Sequence, residues 1–183
     1  DVAEKMISSQ MALGDWAAAF ENAKKYSKLY PDSEALHVLL GTLYAKQGDI
    51  KETIDAFTKA LELNKEQPLV YEGLINSYVL QAKSDKALLF AKQYTETIPY
   101  AYKPWLLLAR VRFKRGEVKK AHDAIKKSLI LSPQNQNVAM AFAYIAFVAQ
   151  DFDRAEKEFR KILLKELKDP KRLSRLIYSL LQI

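Results

Sequence analysis

Apolar positions recur along this chain with the spacing of a helical stripe. In residues 34–64, His37, Leu40, Gly41 and Tyr44 fall at i, i+3, i+4 and i+7. After a break at Gly48-Asp49, Ile50, Thr53, Ile54, Phe57, Ala60 and Leu61 repeat that spacing. Residues so spaced share one face of an α-helix, which turns once in about 3.6 residues. The segment therefore reads as two amphipathic helices joined by a short turn.

Shifting the frame by 34 residues returns the pattern. Tyr71, Leu74, Ile75 and Tyr78 form the next stripe, then Trp105, Leu108, Ala109 and Arg112, then Ala139, Phe142, Ala143 and Ala146; Ala3, Met6, Ile7 and Gln10 precede them. Five copies run in one register, at about 1–33, 34–67, 68–101, 102–135 and 136–169. They predict helix pairs near 2–13 and 15–30, 35–47 and 50–64, 68–82 and 85–98, 103–115 and 118–131, and 136–149 and 152–167. A further helix is expected at 171–182, after Pro170, with Leu173, Leu176, Ile177 and Leu180 on one face.

A small residue recurs early in each second helix: Ala19, Thr53, Ala87, Ala121 and Ala155. Its size lets two helix backbones approach closely. Gly14, Gly48 and Gly116 stand at the turn, where glycine adopts the left-handed conformation that ends a helix. Ala82 and Gln150 take that place in the third and fifth copies. Asp15, Asp49, Ser84 and Asp151 are expected to cap the following helices. Pro31, Pro99 and Pro133 separate repeats, with Lys65 replacing the proline once.

This period and these residues resemble the tetratricopeptide repeat, which carries Trp, Leu-Gly and Tyr on its first helix, then Gly-Asp, Ala, Phe, Ala and Pro. Residues 34–67 match through Leu40-Gly41, Tyr44, Gly48-Asp49, Phe57 and Ala60; residues 102–135 match through Trp105, Leu108-Ala109, Gly116-Glu117, Ala121 and Pro133. The resemblance covers residues 1–169. It implies an all-α, right-handed superhelical α-solenoid of five tetratricopeptide helix pairs, with residues 170–183 capping the stack or opening a sixth repeat. It also implies a protein–protein interaction scaffold, not an enzyme, that holds a partner segment in a concave groove. Look-alike proteins of envelope polysaccharide export and pilus assembly suggest a bacterial assembly or secretion setting.

The chain's 183 residues suit a single array, and its five Gly and six Pro leave little room for turn-rich β architecture. It opens at Asp1 inside a helical pattern, so it reads as a segment of a longer protein. Without cysteine there is neither a disulfide framework nor a thiolate metal site. No apolar run reaches membrane-spanning length, so the chain reads as a soluble segment; its compartment, cytoplasm or bacterial periplasm, is left open. The net charge of +7 is lopsided. Residues 1–99 hold 11 Lys/Arg and 14 Asp/Glu; residues 100–183 hold 18 and 8. Such asymmetry attracts an acidic partner, nucleic acid or anionic lipid.

No catalytic constellation, cofactor motif or metal-ligand spacing is present. His37 and His122 lie at positions that helix packing and surface explain, and Gly73 stands apart from the repeat's glycine positions. The two-carboxylate clamp of tetratricopeptide co-chaperones requires Lys and Asn four apart on one first helix. The corresponding pairs here are Glu4/Ser8, Val38/Thr42, Glu72/Asn76, Leu106/Arg110 and Met140/Tyr144, so a chaperone-tail clamp is rejected.

Opposite the first-helix stripe lie the positions that line the groove in the family. In the second repeat they are Ala35, Val38, Thr42, Ala45 and Lys46; in the third, Leu69, Glu72, Asn76, Val79 and Leu80. In the fourth they are Lys103, Leu106, Arg110, Phe113 and Lys114; in the fifth, Asn137, Met140, Tyr144, Phe147 and Val148. Packing against the following first helix is one account of Val79, Leu80, Phe113, Phe147 and Val148. It suits Leu106, Met140 and Tyr144 less well. Glu72, Asn76, Lys103, Leu106, Arg110, Phe113, Lys114, Met140, Tyr144 and Phe147 are therefore expected to touch an amphipathic partner carrying acidic residues. Self-association through the C-terminal helix is a further expectation. The alternative is a nucleic-acid-binding helical repeat using the basic C-terminal half, which would need aromatics exposed among the cations.

Overall fold

The computed structural model describes residues 2–166. The helix expected at 171–182, with its capping or sixth-repeat role, lies outside them. Among the described residues there are ten α-helices and no strand: α1 (Val2–Leu13), α2 (Trp16–Leu29), α3 (Glu34–Gln47), α4 (Ile50–Leu63), α5 (Pro68–Leu80), α6 (Ser84–Thr97), α7 (Tyr102–Lys114), α8 (Val118–Leu131), α9 (Gln136–Val148) and α10 (Phe152–Glu166). These bounds match the periodicity to within two residues. The chain is an all-helical repeat protein of the solenoid class. No described helix is long and apolar enough to cross a membrane.

Two compact units divide the chain, Asp1–Ile98 and Pro99–Ile183. In the first, α1–α2, α3–α4 and α5–α6 form pairs, α2 packs on α3 and α4 on α5, and the first helices α1, α3 and α5 touch in succession. In the second, α7–α8 and α9–α10 pair, α8 packs on α9, and α7 touches α9. Each first helix is thus covered on two sides. One side is the stripe read from the sequence. The other holds Leu36 and Leu43 on α3, Val70 and Ser77 on α5, Pro104 and Val111 on α7, and Val138 and Ile145 on α9, all buried.

The five small residues are sealed at the pair contacts: Ala19, Thr53, Ala87, Ala121 and Ala155 are all buried. Phe57 of α4 wedges between α3 and α5, facing Gly41 and Gly73, and a methyl group on either glycine would collide with its ring. Gly73, unexplained by the repeat pattern, therefore makes room for Phe57.

The turn conformation survives the loss of glycine. Gly14, Gly48 and Gly116 have φ of 80°, 83° and 75°, and Ala82 and Gln150 follow at 56° and 64°. A side chain in the left-handed region costs about 1–2 kcal/mol. Paired backbone bonds hold it there: Ala82 N–H to Val79 O and Lys83 N–H to Tyr78 O, and Gln150 N–H to Phe147 O and Asp151 N–H to Ala146 O. The capping expectation needs correction. Asp15 accepts a bond from the Ala18 amide, but Asp49 makes no side-chain cap bond and Ser84 lies inside α6, after Lys83 at the cap position. Asp151 pairs with Arg154 instead, at 2.9 Å.

Two inter-repeat joints share a latch. His37 Nε2 donates to the Pro31 carbonyl at 2.8 Å, and Trp105 Nε1 donates to the Pro99 carbonyl at 2.9 Å. The two side chains occupy the same repeat position.

Candidate partner-binding face

A first helix buried on two sides leaves a narrow third face, and the expected partner-binding residues occupy it. In the first unit, α5 presents Glu72 half-buried and Asn76 exposed, flanked by Leu69 and Leu80, which are 52% and 73% exposed. In the second unit, α7 presents Lys103, Arg110 and Lys114 exposed, with Leu106 and Phe113 half-buried. Alongside, α9 presents Met140 and Tyr144 half-buried and Phe147 exposed.

The rings of Phe113 and Tyr144 meet edge to face, 5.4 Å between centroids, and join the two helices across this face. Tyr144 thus leans on its neighbour instead of standing free in the middle. Phe147 meets Phe152, the first residue of α10, at 5.7 Å. Met140 packs against the cluster of Ala139 and Ile162. Packing on the following first helix therefore accounts for Phe113; for Phe147 and Val148 that helix lies outside the described residues. Leu106, Phe113, Met140 and Tyr144 give a half-covered apolar surface, with Arg110 on it and Lys103 and Lys114 at its margins. Such a surface gains from desolvation by a partner's apolar groups, and Arg110 offers a planar fork of donors to a carboxylate.

The two histidines are packing residues. His37 is held by its latch. His122 is buried, stacks on Phe142 at 5.5 Å and lies 3.6 Å from an Asp151 carboxylate oxygen. Burial first, and Lys126 next, hold its pKa below the usual histidine range; Asp151 and Asp123 oppose this. No group of three or more His, Asp or Glu side chains among the described residues is placed to hold a metal ion. A cleft of about 620 Å³ lies away from the predicted face, between α2 and α4, where Asp55, Lys59 and Glu62 alternate in sign along its wall.

In the second unit, where the cations gather, Phe113 meets Tyr144 and Phe147 meets Phe152, while Tyr100 stands exposed; rings of the first unit also meet one another. Phe20 meets Tyr44, Tyr71 stacks on Tyr94 and Tyr78 on Phe90, at 5.1, 5.0 and 5.4 Å. Trp16 and Trp105 lie under the ammonium groups of Lys46 and Lys127. The nucleic-acid alternative gains no support from this arrangement.

The tetratricopeptide repeat family model matches residues 5–68 and 105–171. A TPR repeat-containing protein of Methanocaldococcus jannaschii, MJ1428, is 25% identical over 162 residues, covering 82% of this chain and 28% of that protein. The chain thus spans under a third of the length of this relative. Among solved structures, MamA superposes with a TM-score of 0.79 at 21% identity, covering 93% of each chain. The thermophilic TPR protein TTC0263 of Thermus thermophilus superposes with a TM-score of 0.70 at 20% identity, covering 98% of this chain and 97% of that one. At these identities the likeness is one of fold.

Proposed function

We propose that this chain, which belongs to the tetratricopeptide repeat family, holds a partner segment on the first-helix face of its second unit. Membership makes it a protein-interaction scaffold in general terms; the face and the partner's chemistry are our reading. One observation carries it: α7 and α9 place Leu106, Phe113, Met140 and Tyr144 side by side, incompletely covered, with exposed Arg110 among them. The matching partner is an amphipathic segment whose apolar side chains cover the four and whose carboxylate meets Arg110. Lys103 and Lys114 mainly speed encounter. Glu72 and Asn76 hold the corresponding positions of the first unit, where they would supply polar contacts to a segment held on that unit.

By family analogy we infer a partner in a bacterial envelope assembly or secretion system, with the chain in the cytoplasm or periplasm. Self-association through residues 170–183 belongs to the same proposal, and deleting them should leave a monomer by light scattering.

The test is a photo-crosslinking residue at position 106 or 144 to capture the partner segment, followed by calorimetric titration with it. Tyr144→Ala and Arg110→Glu should each weaken binding by about 1–3 kcal/mol, the range of a central contact. Lys126→Glu with Lys127→Glu, on α8, should change it little. Full binding by the first two variants, with loss in the α8 variant, would sink this reading.

A further inference from the structure

The repeats supply an internal control for every surface position, and one edge of the second unit departs from it. This edge is the end of α8 and the loop before α7. Ser128 Oγ donates to the Tyr102 carbonyl at 2.9 Å, and Lys127 Nζ sits 4.2 Å over the ring of Trp105, itself bonded to the Pro99 carbonyl. The loop and the last turns of α8 are therefore one surface. On it Tyr100 is 88% and Ile130 77% exposed, with Leu131 beside them at 41%. Lys103 and Lys127 are exposed and Lys126 half-buried.

At the position of Ile130 the first unit has Lys28, Glu62 and Glu96; at that of Tyr100 it has Asp32 and Glu66. At these two positions the second unit thus exchanges charged, mostly acidic side chains for apolar ones, while it keeps the lysines that the first unit also carries, at the positions of Lys126 (Lys24, Lys92) and Lys127 (Lys25, Lys59). The nearest carboxylate on α8 is Asp123, a turn before Lys127, while Glu117 at the far end of that helix is bound by Arg115 at 2.8 Å.

We propose that this edge docks on an anionic lipid bilayer. Two protruding apolar side chains gain where they enter a medium of apolar depth, which a bilayer offers. An exposed tyrosine such as Tyr100 suits the interface between headgroup and acyl chain, and lysine stems lie along apolar surface while their ammonium groups reach phosphate. A nucleic acid offers Ile130 and Leu131 no comparable medium, and the face of Trp105 on which a base would stack is covered by Lys127. The contact is peripheral and reversible. Each lysine near an anionic surface contributes about fivefold in affinity, weakened by salt.

The test is sedimentation of the full chain with vesicles of phosphatidylcholine alone and of phosphatidylcholine with one third phosphatidylglycerol. Binding is expected only to the anionic vesicles, and added salt should release it. Tyr100→Ser with Ile130→Ser should weaken it about tenfold or more, since each loses an inserted apolar group. Lys126→Gln should weaken it about fivefold. Tyr144→Ala, on the first-helix face, should leave it unchanged. The exposed positions allow the substitutions without loss of fold, checked by coincident thermal melts. Failure to bind either vesicle at low salt overturns the proposal. So does equal binding by the Tyr100/Ile130 variant, which would reduce the contact to net charge. An oligonucleotide that binds more tightly than the vesicles, with the same sensitivity to these variants, would reassign the edge to nucleic acid.

Discussion

At the repeat position that holds Tyr44 and Tyr78 in the first unit, the second unit has Arg112 and Ala146. The first unit turns most of its rings inward, Trp16 and Tyr30 excepted. Tyr44 meets Phe20, Tyr78 stacks on Phe90, Tyr71 on Tyr94, and Phe57 fills the space left by two glycines. The second unit lines much of its interior with Ala109, Ala121, Ala139, Ala143 and Ala146, and Phe142 stacks on a histidine. Among its other described rings, Phe113 meets Tyr144 and Phe147 meets Phe152 near or at the surface. One repeat pattern accommodates both arrangements, because it fixes helix spacing through the small residue and the turn and leaves the bulky positions free. Rings placed inside stabilise a unit.

The sharpest way to break this contrast is to remove one ring from each unit. Phe57→Ala should cost about 3–5 kcal/mol in denaturant unfolding, the range for a buried aromatic. Phe147→Ala, at a position 54% exposed, should stay near the roughly 0.5 kcal/mol of a surface change. Equal losses would erase the distinction. Next in size is Gly73→Ala. Helix propensity alone would raise stability by about 1 kcal/mol. The collision with Phe57 should prevail and leave a net loss of about 1–3 kcal/mol, read as a lower melting temperature.

A smaller effect tests what the units share. Ala82→Gly and Gln150→Gly relieve the same left-handed turn, one in each unit. The roughly 1–2 kcal/mol of relief exceeds glycine's extra chain entropy of about 0.5–1 kcal/mol. Each variant should gain up to about 1 kcal/mol, and a loss in either would mean that its side chain makes a contact worth more than the strain.

The smallest effect belongs to the second unit and to pH. The folded pKa of His122 lies below its unfolded value of about 6.5. Its neutral form is the one folding favours, so the stability is fully present above about pH 6.5 and declines as pH falls toward the folded pKa. The melting temperature should therefore drop between about pH 7 and pH 5, and His122→Leu should flatten that part of the profile.

Helix bounds were legible because the 34-residue register is strict and every stripe is mostly apolar. The small-residue contacts were legible for the same reason. Gly73 was not, since its reason lies on another helix, in Phe57. Ser84 was misplaced by one position because the third turn begins its helix without a capping side chain. On the partner-binding face, periodicity could assign residues to a side of the helix but not decide which neighbours they meet. Phe113 and Tyr144 were named separately, and their ring contact depends on how α7 and α9 lie together. The second buried side of the first helices was in the sequence throughout, as Val70, Pro104 and Val138 at one repeat position.

The lysine-covered indoles have an optical consequence. The chain has two tryptophans, and each unit contains one: Trp16 under Lys46 at 3.8 Å and Trp105 under Lys127 at 4.2 Å. Each ammonium group belongs to the next helix along the chain, α3 over α2 and α8 over α7, so separating those helices uncovers the ring and changes its emission. Replacing either indole by phenylalanine makes the other the sole tryptophan fluorophore. The two single-tryptophan proteins then report the melting of the first and second units as separate traces, and superimposable traces mean that the units unfold as one.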